Sequence, residues 1–286
     1  MQTFLECVPC FVRQTLDAAR MATDDEGIHE RIMRAVLAES AEMSFSESPP
    51  RMGLKIHRLI RELSGNPDPY RELKQRFTRL ALEAYDDLKE RVRASDKPFE
   101  TAVRLAIAGN IIDFGVLSWQ EDCALSRTIE DTLRRPFGVN DLKEFQEAVA
   151  KASSILYLGD NAGETVFDRI LIEELPAERV TFVVKGGPVI NDATVEDARA
   201  AGITGIVEVV DNGSDAPGTI LETCSEQFRN RFDAADLIIA KGQGNYETMS
   251  DCGREQVFFL LKVKCPVIAR DIGCEVGGIV VQKKPE

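Results

Sequence analysis

The stretch Leu156-Tyr157-Leu158-Gly159-Asp160-Asn161-Ala162-Gly163-Glu164-Thr165 decides how this chain is read. A short apolar run from Ile155 to Leu158 halts at Gly159, and an amide and two carboxylates follow before Thr165. Helical spacing of apolar residues then resumes from Val166 to Leu171. That is the pattern of a buried strand, a tight turn and a new helix. Ligands of open α/β sheets gather beyond the carboxyl ends of the strands, which would put Asp160, Asn161 and Glu164 at a ligand crevice. We read this turn as the seat of a metal and a phosphate. A plainer reading accounts for the same position: Asp160 and Asn161 as a helix N-cap and its neighbour.

Downstream, the texture repeats. Short β-rich runs, Val180 to Val184, Ile206 to Val210 and Leu237 to Ala240, alternate with helical patterns at Thr165 to Leu175, Asp192 to Ala201 and Pro217 to Phe232. Val257 to Leu261 and Gly278 to Val281 are further strand candidates. Such alternation predicts a three-layer α/β/α, Rossmann-like, mostly parallel sheet. Each strand ends in polar groups: Asp160-Asn161, then Lys185 and Asn191-Asp192, then Asp211-Asn212, then Lys241-Gly242-Gln243-Gly244-Asn245-Tyr246. Parallel strands bring these endings to one sheet edge. The oxygens of Asp160, Asn161 and Asp192 suit Mg²⁺ or Mn²⁺, and Lys185, Lys241 and Lys262 suit phosphate oxygens. The glycines after Lys241 let backbone N–H groups approach an anion. Gly-rich turns are common and Asp192 is also a credible N-cap, so the signal lies in several such loops falling at equivalent strand ends.

Upstream, residues 1–95 read as successive amphipathic helices, with breaks at Ser48-Pro49-Pro50 and from Ser64 to Pro69. The expected organisation is a helical domain, 1–95, and an α/β metal- and phosphate-binding domain, 96–286. The apolar run from Ala102 to Gly115 carries Asn110 and Asp113 on one helical face, either as satisfied helix–helix hydrogen bonds or as a lining of the ligand site. From Leu117 to Ala150 the helical pattern continues across a break at Arg135-Pro136-Phe137-Gly138. Cys7-Val8-Pro9-Cys10 is a lone CxxC with no βαβ unit behind it, read as two partly buried thiols on a helix.

The 286 residues carry a formal net charge of −13, which argues against nucleic-acid or anionic-membrane partners. No stretch approaches a membrane span, and the first ten residues have no signal-peptide pattern. With seven cysteines, a cytoplasmic setting with reduced thiols is expected. The oligomeric state is not legible.

Taken together, Glu6-Cys7-Val8-Pro9-Cys10, Gly65-Asn66-Pro67-Asp68-Pro69-Tyr70, Ala108-Gly109-Asn110-Ile111-Ile112-Asp113, Gly159 to Glu164 and Lys241 to Glu247 resemble the landmarks of the DUF89 family, the metal-dependent damage-control phosphatases, in its prokaryotic branch. The resemblance implies a helical N-terminal domain beside the α/β/α domain. It implies a divalent metal (Mn²⁺, Co²⁺, Ni²⁺ or Mg²⁺) on Asp160, Asn161 and Asp192, with Glu164 as a substrate- or water-positioning acid. It further implies a substrate loop over Gly242, Gly244, Asn245 and Tyr246, and Lys262 as a phosphate-binding lysine. Eukaryotic members carry Arg-Thr-x-Lys at that distal motif, where this chain has Leu260-Leu261-Lys262, so their sugar-phosphate preference does not transfer directly.

The expected function is metal-dependent hydrolysis of a small phosphorylated metabolite, a sugar phosphate or a phosphopantetheine-like ester. Two other classes stay open at this level. One is a nucleotide- or S-adenosylmethionine-binding Rossmann-like protein, although the first turn lacks Gly-x-Gly and the next strand ends in Lys185. The other is a non-catalytic phosphometabolite sensor.

Overall fold

The computed structural model describes residues 1–110 and 121–285, with side chains for all of these except 121–125. Asp113 lies outside the described residues.

The chain opens with three helices, α1 (Cys7–Ala22), α2 (Glu26–Ala41) and α3 (Pro49–Ser64). Asp25 caps α2 by accepting from the Gly27 and Ile28 amides at 2.8 and 3.2 Å. Two prolines open α3 where no intrahelical N–H is needed, and Gly65 closes it. Phe11, Ile32, Val36, Ile56 and Ile60 meet in a core belonging to these helices. The long α4 (Arg71–Arg93) and α5 (Pro98–Gly109) bury their apolar faces elsewhere, in the main core beside the sheet.

After α6 (Glu121–Arg134) come β1 (Phe137–Asn140), α7 (Leu142–Lys151), β2 (Ile155–Leu158), α8 (Glu164–Ile172), β3 (Val180–Val184), α9 (Val195–Ala200), β4 (Glu208–Asp211), α10 (Glu226–Ala234), β5 (Leu237–Lys241), α11 (Gly242–Met249), β6 (Val257–Lys262), α12 (Pro266–Ile272) and β7 (Ile279–Lys283). They form one seven-stranded sheet of order β1-β7-β6-β5-β2-β3-β4. β2 to β6 are mutually parallel, while β7 runs antiparallel to β6 and carries β1 parallel to itself.

Strand parity sorts the side chains into two layers. Ile155, Tyr157, Leu237 and Ile239 face the core built by α4, α5, α7, α8 and α9. Leu156, Leu158, Ile238 and Ala240 face the core of α10, α11 and α12. This is the three-layer, mostly parallel α/β/α architecture expected from the sequence. The chain winds outward from β2 through β3 to β4, then returns to place β5 on the other side of β2. The switch point between β2 and β5 is where such sheets open a crevice.

Four elements differ from the sequence reading. β1 replaces the break inside an expected helical run; it is a half-exposed edge strand paired to β7, far away in sequence, so no local signal marks it. The expected helix from Pro217 is irregular up to a single 3₁₀ turn at Leu221–Thr223, and α10 begins only at Glu226, capped by the Ser225 hydroxyl at 3.2 Å from the Phe228 amide. Gly242 to Tyr246, expected as a substrate loop, lies within helix α11. α9 starts at Val195 instead of Asp192, because Thr194 and Asp197 form a capping box there.

Candidate functional site

The loops after β2 and β3 are stitched together by backbone hydrogen bonds. The Ala193 amide donates to the Asp160 carbonyl and the Ala162 amide to the Asn191 carbonyl, both at 2.8 Å, with Asn161 and Asp192 forming an antiparallel bridge. Asp160, Asn161 and Asp192 are thereby held on one rim of the sheet. None of them caps a helix: α8 has Gly163 at its N-cap position with no side-chain cap, and α9 is capped by Thr194. The plainer capping readings therefore fall, and these oxygens are left for other work.

Two carboxamides brace two carboxylates at this rim. Asn110, at the end of α5, donates its Nδ2 to Asp160 Oδ2 at 2.7 Å and Glu164 Oε2 at 2.8 Å. Asn161 donates its Nδ2 to the same two oxygens at 2.9 Å each. Asn110 is fully buried and does not line the cleft: it makes a helix–helix hydrogen bond from α5 to Glu164 of α8 and braces Asp160 from behind. Gly109 lets α5 come this close, since a Cβ there would stand 2.9 Å from that of Phe167 in α8. Gly242, at φ 76, does the same from β5: a Cβ would fall 1.9 Å from Asp160 Oδ2.

The electrostatics are those of acids short of positive charge. Burial pushes the Asp160 carboxyl well above the usual carboxylate range, and the neighbouring Glu164 and Asp192 charges add to the effect. Burial raises Asp192 to about 6 even though Lys185 partly offsets it. Among the described residues, Asp192 Oδ2 has only the Lys185 ammonium near it, at 3.4 Å, and Asn110 Oδ1 is a buried acceptor with no donor. Among the described residues no three His, Cys, Asp or Glu side chains converge to hold a metal. A cation here would take two carboxylates, Asp160 and Asp192, with amide carbonyl oxygen and water, a set that suits a hard divalent ion. Unpartnered buried acceptors and carboxyls destabilised as anions are what such an ion would relieve.

These groups floor a cleft of about 360 Å³ whose walls include Phe11 of α1, Pro50 of α3, Pro217 and Val267. Gly244 lines it, as do Cys7, Cys10, Cys265, Gln243 and Glu247, which the sequence reading had not placed there. Cys7 is half-buried and Cys10 exposed, both as free thiols. Ile190, also on the wall, is a β-branched residue at φ 44, a strained conformation in the loop that carries Asp192.

Several expected ligand groups point elsewhere. The Lys241 ammonium is fully buried and donates to the Ala106 carbonyl at 2.9 Å, to Glu164 Oε1 at 2.7 Å and to Asp168 Oδ1, so its three donors are taken inside the protein. Strand parity explains this, because Lys241 follows Leu237 and Ile239 on the face toward α5 and α8. Glu164, fully buried, has both oxygens engaged by Lys241 and the two carboxamides, so it braces the site and does not reach into the cleft. Asn245 ties α11 to the end of β2, donating to the Lys241 carbonyl at 2.8 Å and the Gly159 carbonyl at 3.3 Å. Tyr246 turns into the opposite core, stacked edgewise on Phe259 at 5.0 Å, with its hydroxyl on Asp271 at 2.7 Å. Lys262 is half-buried in the field of Arg135 and Lys264 and does not line the cleft. Asp168 and Tyr157 were missed by the sequence reading, although Asp168 stands one turn after Glu164, on the same helical face.

The sequence profile described as the damage-control phosphatase ARMT1-like domain matches residues 3–280. A damage-control phosphatase of Pyrococcus horikoshii is 38% identical, covering 99% of this chain and 98% of that protein. One from Archaeoglobus fulgidus is 37% identical over 96% of this chain and 97% of its own, and an uncharacterised protein of Methanocaldococcus jannaschii is 40% identical over 98% and 94%. The crystal structure of a DUF89 family protein from P. horikoshii superposes with a TM-score of 0.90 at 38% identity, each chain covered in full. With its whole length matched in both sequence and fold, the chain belongs to the damage-control phosphatase ARMT1-like (DUF89) family.

Proposed function

We propose that this protein is a divalent-cation-dependent phosphatase that hydrolyses small phosphate monoesters in the cleft over Asp160, Asn161 and Asp192. The observation that carries the reading is the pair of buried, destabilised carboxylates, Asp160 and Asp192, joined by a backbone bridge and facing a cleft, with Asp192 Oδ2 met only by the Lys185 ammonium at 3.4 Å among the described residues. The names of the two relatives from P. horikoshii and A. fulgidus support hydrolysis of a phosphate ester. Asp160, Asn161 and Asp192 would hold Mn²⁺, Co²⁺, Ni²⁺ or Mg²⁺. When bound, such an ion polarises a phosphoryl oxygen and makes water a stronger nucleophile at neutral pH.

The chain's own residues supply the rest. Asn110 and Asn161 orient Asp160, and Lys241 locks Glu164 beneath both amides. Lys185, buried 3.4 Å from Asp192 and donating to the Gly218 carbonyl, brings positive charge under the cleft floor. The exposed Lys264 adds charge that reaches both Asp160 and Glu247. On this reading these two lysines, in place of Lys241 and Lys262, would offset the phosphate's negative charge from outside the cleft lining, which includes neither of them. The nucleotide or S-adenosylmethionine reading fits poorly, because the turn after β2 carries Asp160-Asn161 in place of Gly-x-Gly and the next strand leads to Lys185 instead of an acidic residue.

The test is release of inorganic phosphate from a panel of sugar phosphates and phosphopantetheine-like esters, with and without each of the four cations. Cation-dependent release is expected. Tight binding of the esters without release would instead make the protein a sensor. No binding and no release would remove the reading.

A further inference from the structure

Behind the cleft floor, four fully buried polar side chains form a chain of contacts. The Tyr157 hydroxyl of β2 donates to Asp168 Oδ1 at 2.7 Å, and the Lys241 ammonium of β5 donates to that same oxygen. Lys241 also donates to Glu164 Oε1 at 2.7 Å, and Glu164 Oε2 accepts from the Asn161 amide at 2.9 Å. Asn161 lines the cleft, whereas Asp168, Lys241 and Tyr157 do not. Asp168 and Glu164 stand one turn apart on α8, so a single ammonium from the neighbouring strand reaches both.

As a stabilising device this arrangement is a poor one. Two carboxylates share one ammonium in the interior, and Asp168 Oδ2 is buried with no hydrogen-bond partner among the described residues. Apolar side chains of similar size would serve stability as well or better. What the arrangement does provide is direction. Lys241 occupies Glu164 Oε1, which leaves Oε2 as the acceptor for Asn110 and Asn161. The Asn161 amide nitrogen is thereby turned toward the carboxylates, and its carbonyl oxygen away from them.

We propose that Asp168 is a positioning residue for the cation site, acting through Lys241 and Glu164 to fix the amide of Asn161. The proposal rests on the cation-dependent reading given above. Groups standing behind metal ligands commonly matter by ten- to a hundredfold in affinity.

A double-mutant cycle tests it, with Asp168→Asn, Lys241→Met and the pair, reading the dissociation constant of Mn²⁺ by calorimetry alongside thermal unfolding and phosphate release. Asp168→Asn is expected to weaken Mn²⁺ binding about tenfold. In the Lys241→Met background the same change should add less than about twofold, because the route through the ammonium is already broken. Unchanged Mn²⁺ affinity in Asp168→Asn, or an undiminished effect in the Lys241→Met background, overturns the proposal. Should Asp168→Asn fail to fold, Tyr157→Phe removes one partner of Asp168 without altering charge; it is expected to weaken Mn²⁺ binding about two- to tenfold, and no change overturns the proposal. Wild-type protein that binds Mn²⁺ but releases no phosphate defeats the hydrolysis reading alone, and the cycle is then judged on affinity. Wild-type protein that binds no Mn²⁺ overturns the proposal.

Discussion

Asp160 is the residue on which the chemistry turns. Its Oδ2 accepts two amide donors and faces the backbone of Gly242, leaving the rest of the carboxyl toward the cleft. Asp160→Asn keeps the shape but removes the charge a divalent ion requires, and cation-dependent phosphate release should disappear; wild-type turnover in this variant would sink the site assignment. Gly242→Ala tests the same seat from the other side. Its Cβ would intrude to 1.9 Å from Asp160 Oδ2 at a backbone φ of 76. A displacement of that kind is expected to lower activity by about 100-fold. The left-handed backbone adds a folding cost of about 1–3 kcal/mol, measurable by urea denaturation. Full activity in Gly242→Ala would mean that the β5 turn does not set the position of Asp160.

At the scale of elements, α3 contributes a pH-dependent term. His57 is buried against Tyr70 with ring centroids 5.9 Å apart, and its Nε2 has no hydrogen-bond partner. Burial, with Arg61 adding to it, depresses its pKa from 6.5 to about 3. The folded protein thus holds His57 neutral in a range where the unfolded chain binds a proton. The His57 contribution costs nothing above pH 6.5 and lowers stability progressively as the pH falls from there toward 3. Denaturant unfolding at pH 7 and pH 5 should show a smaller acid loss for His57→Phe than for wild type. Equal losses would locate the acid sensitivity elsewhere. The same half of α3 is held by Arg58 and Arg61, which both pair with Asp215 in the loop after β4, while Arg61 donates to the Pro188 carbonyl at 2.7 Å. These contacts set α3 as one wall of the cleft.

Across the whole molecule, Lys74 links the helical elements to the sheet. Its ammonium, buried in α4, lies 3.0 Å from Asp68 in the Asn66-Pro67-Asp68-Pro69 turn and 3.1 Å from Asp197 of α9. Asp197 in turn closes the capping box with Thr194, two residues after Asp192. Lys74→Met would leave two buried carboxylates without a counter-charge, for which a loss of about 3–5 kcal/mol in unfolding free energy is expected. A change under 1 kcal/mol, in urea melts with constant slope, would show that water or rearrangement replaces the ammonium. The same linkage explains why the proline-rich turn, read from sequence only as a helix break, matters to the position of the Asp192 loop.

Local pattern alone determined the layout of the sheet half. An apolar run closed by glycine and followed by helical spacing has one economical solution, so Ile155 to Leu171 folded as read, and parallel strand ends placed Asp160, Asn161 and Asp192 on one rim. What tertiary structure decided was direction. Lys241 and Lys185 look alike in sequence, each a lysine closing a strand. Lys241 points into the core of α5 and α8 and Lys185 toward the Gly218 carbonyl because their strands present opposite parities to the two helical layers. Tyr246 and Asn245 follow glycines and read as a loop, yet they belong to a helix whose inner face packs on β6. β1 exists only because β7 offers a distant edge to pair with. Spacing along a chain is local and fixes which groups arrive at an edge; whether each faces ligand or core depends on elements remote in sequence that pack against it.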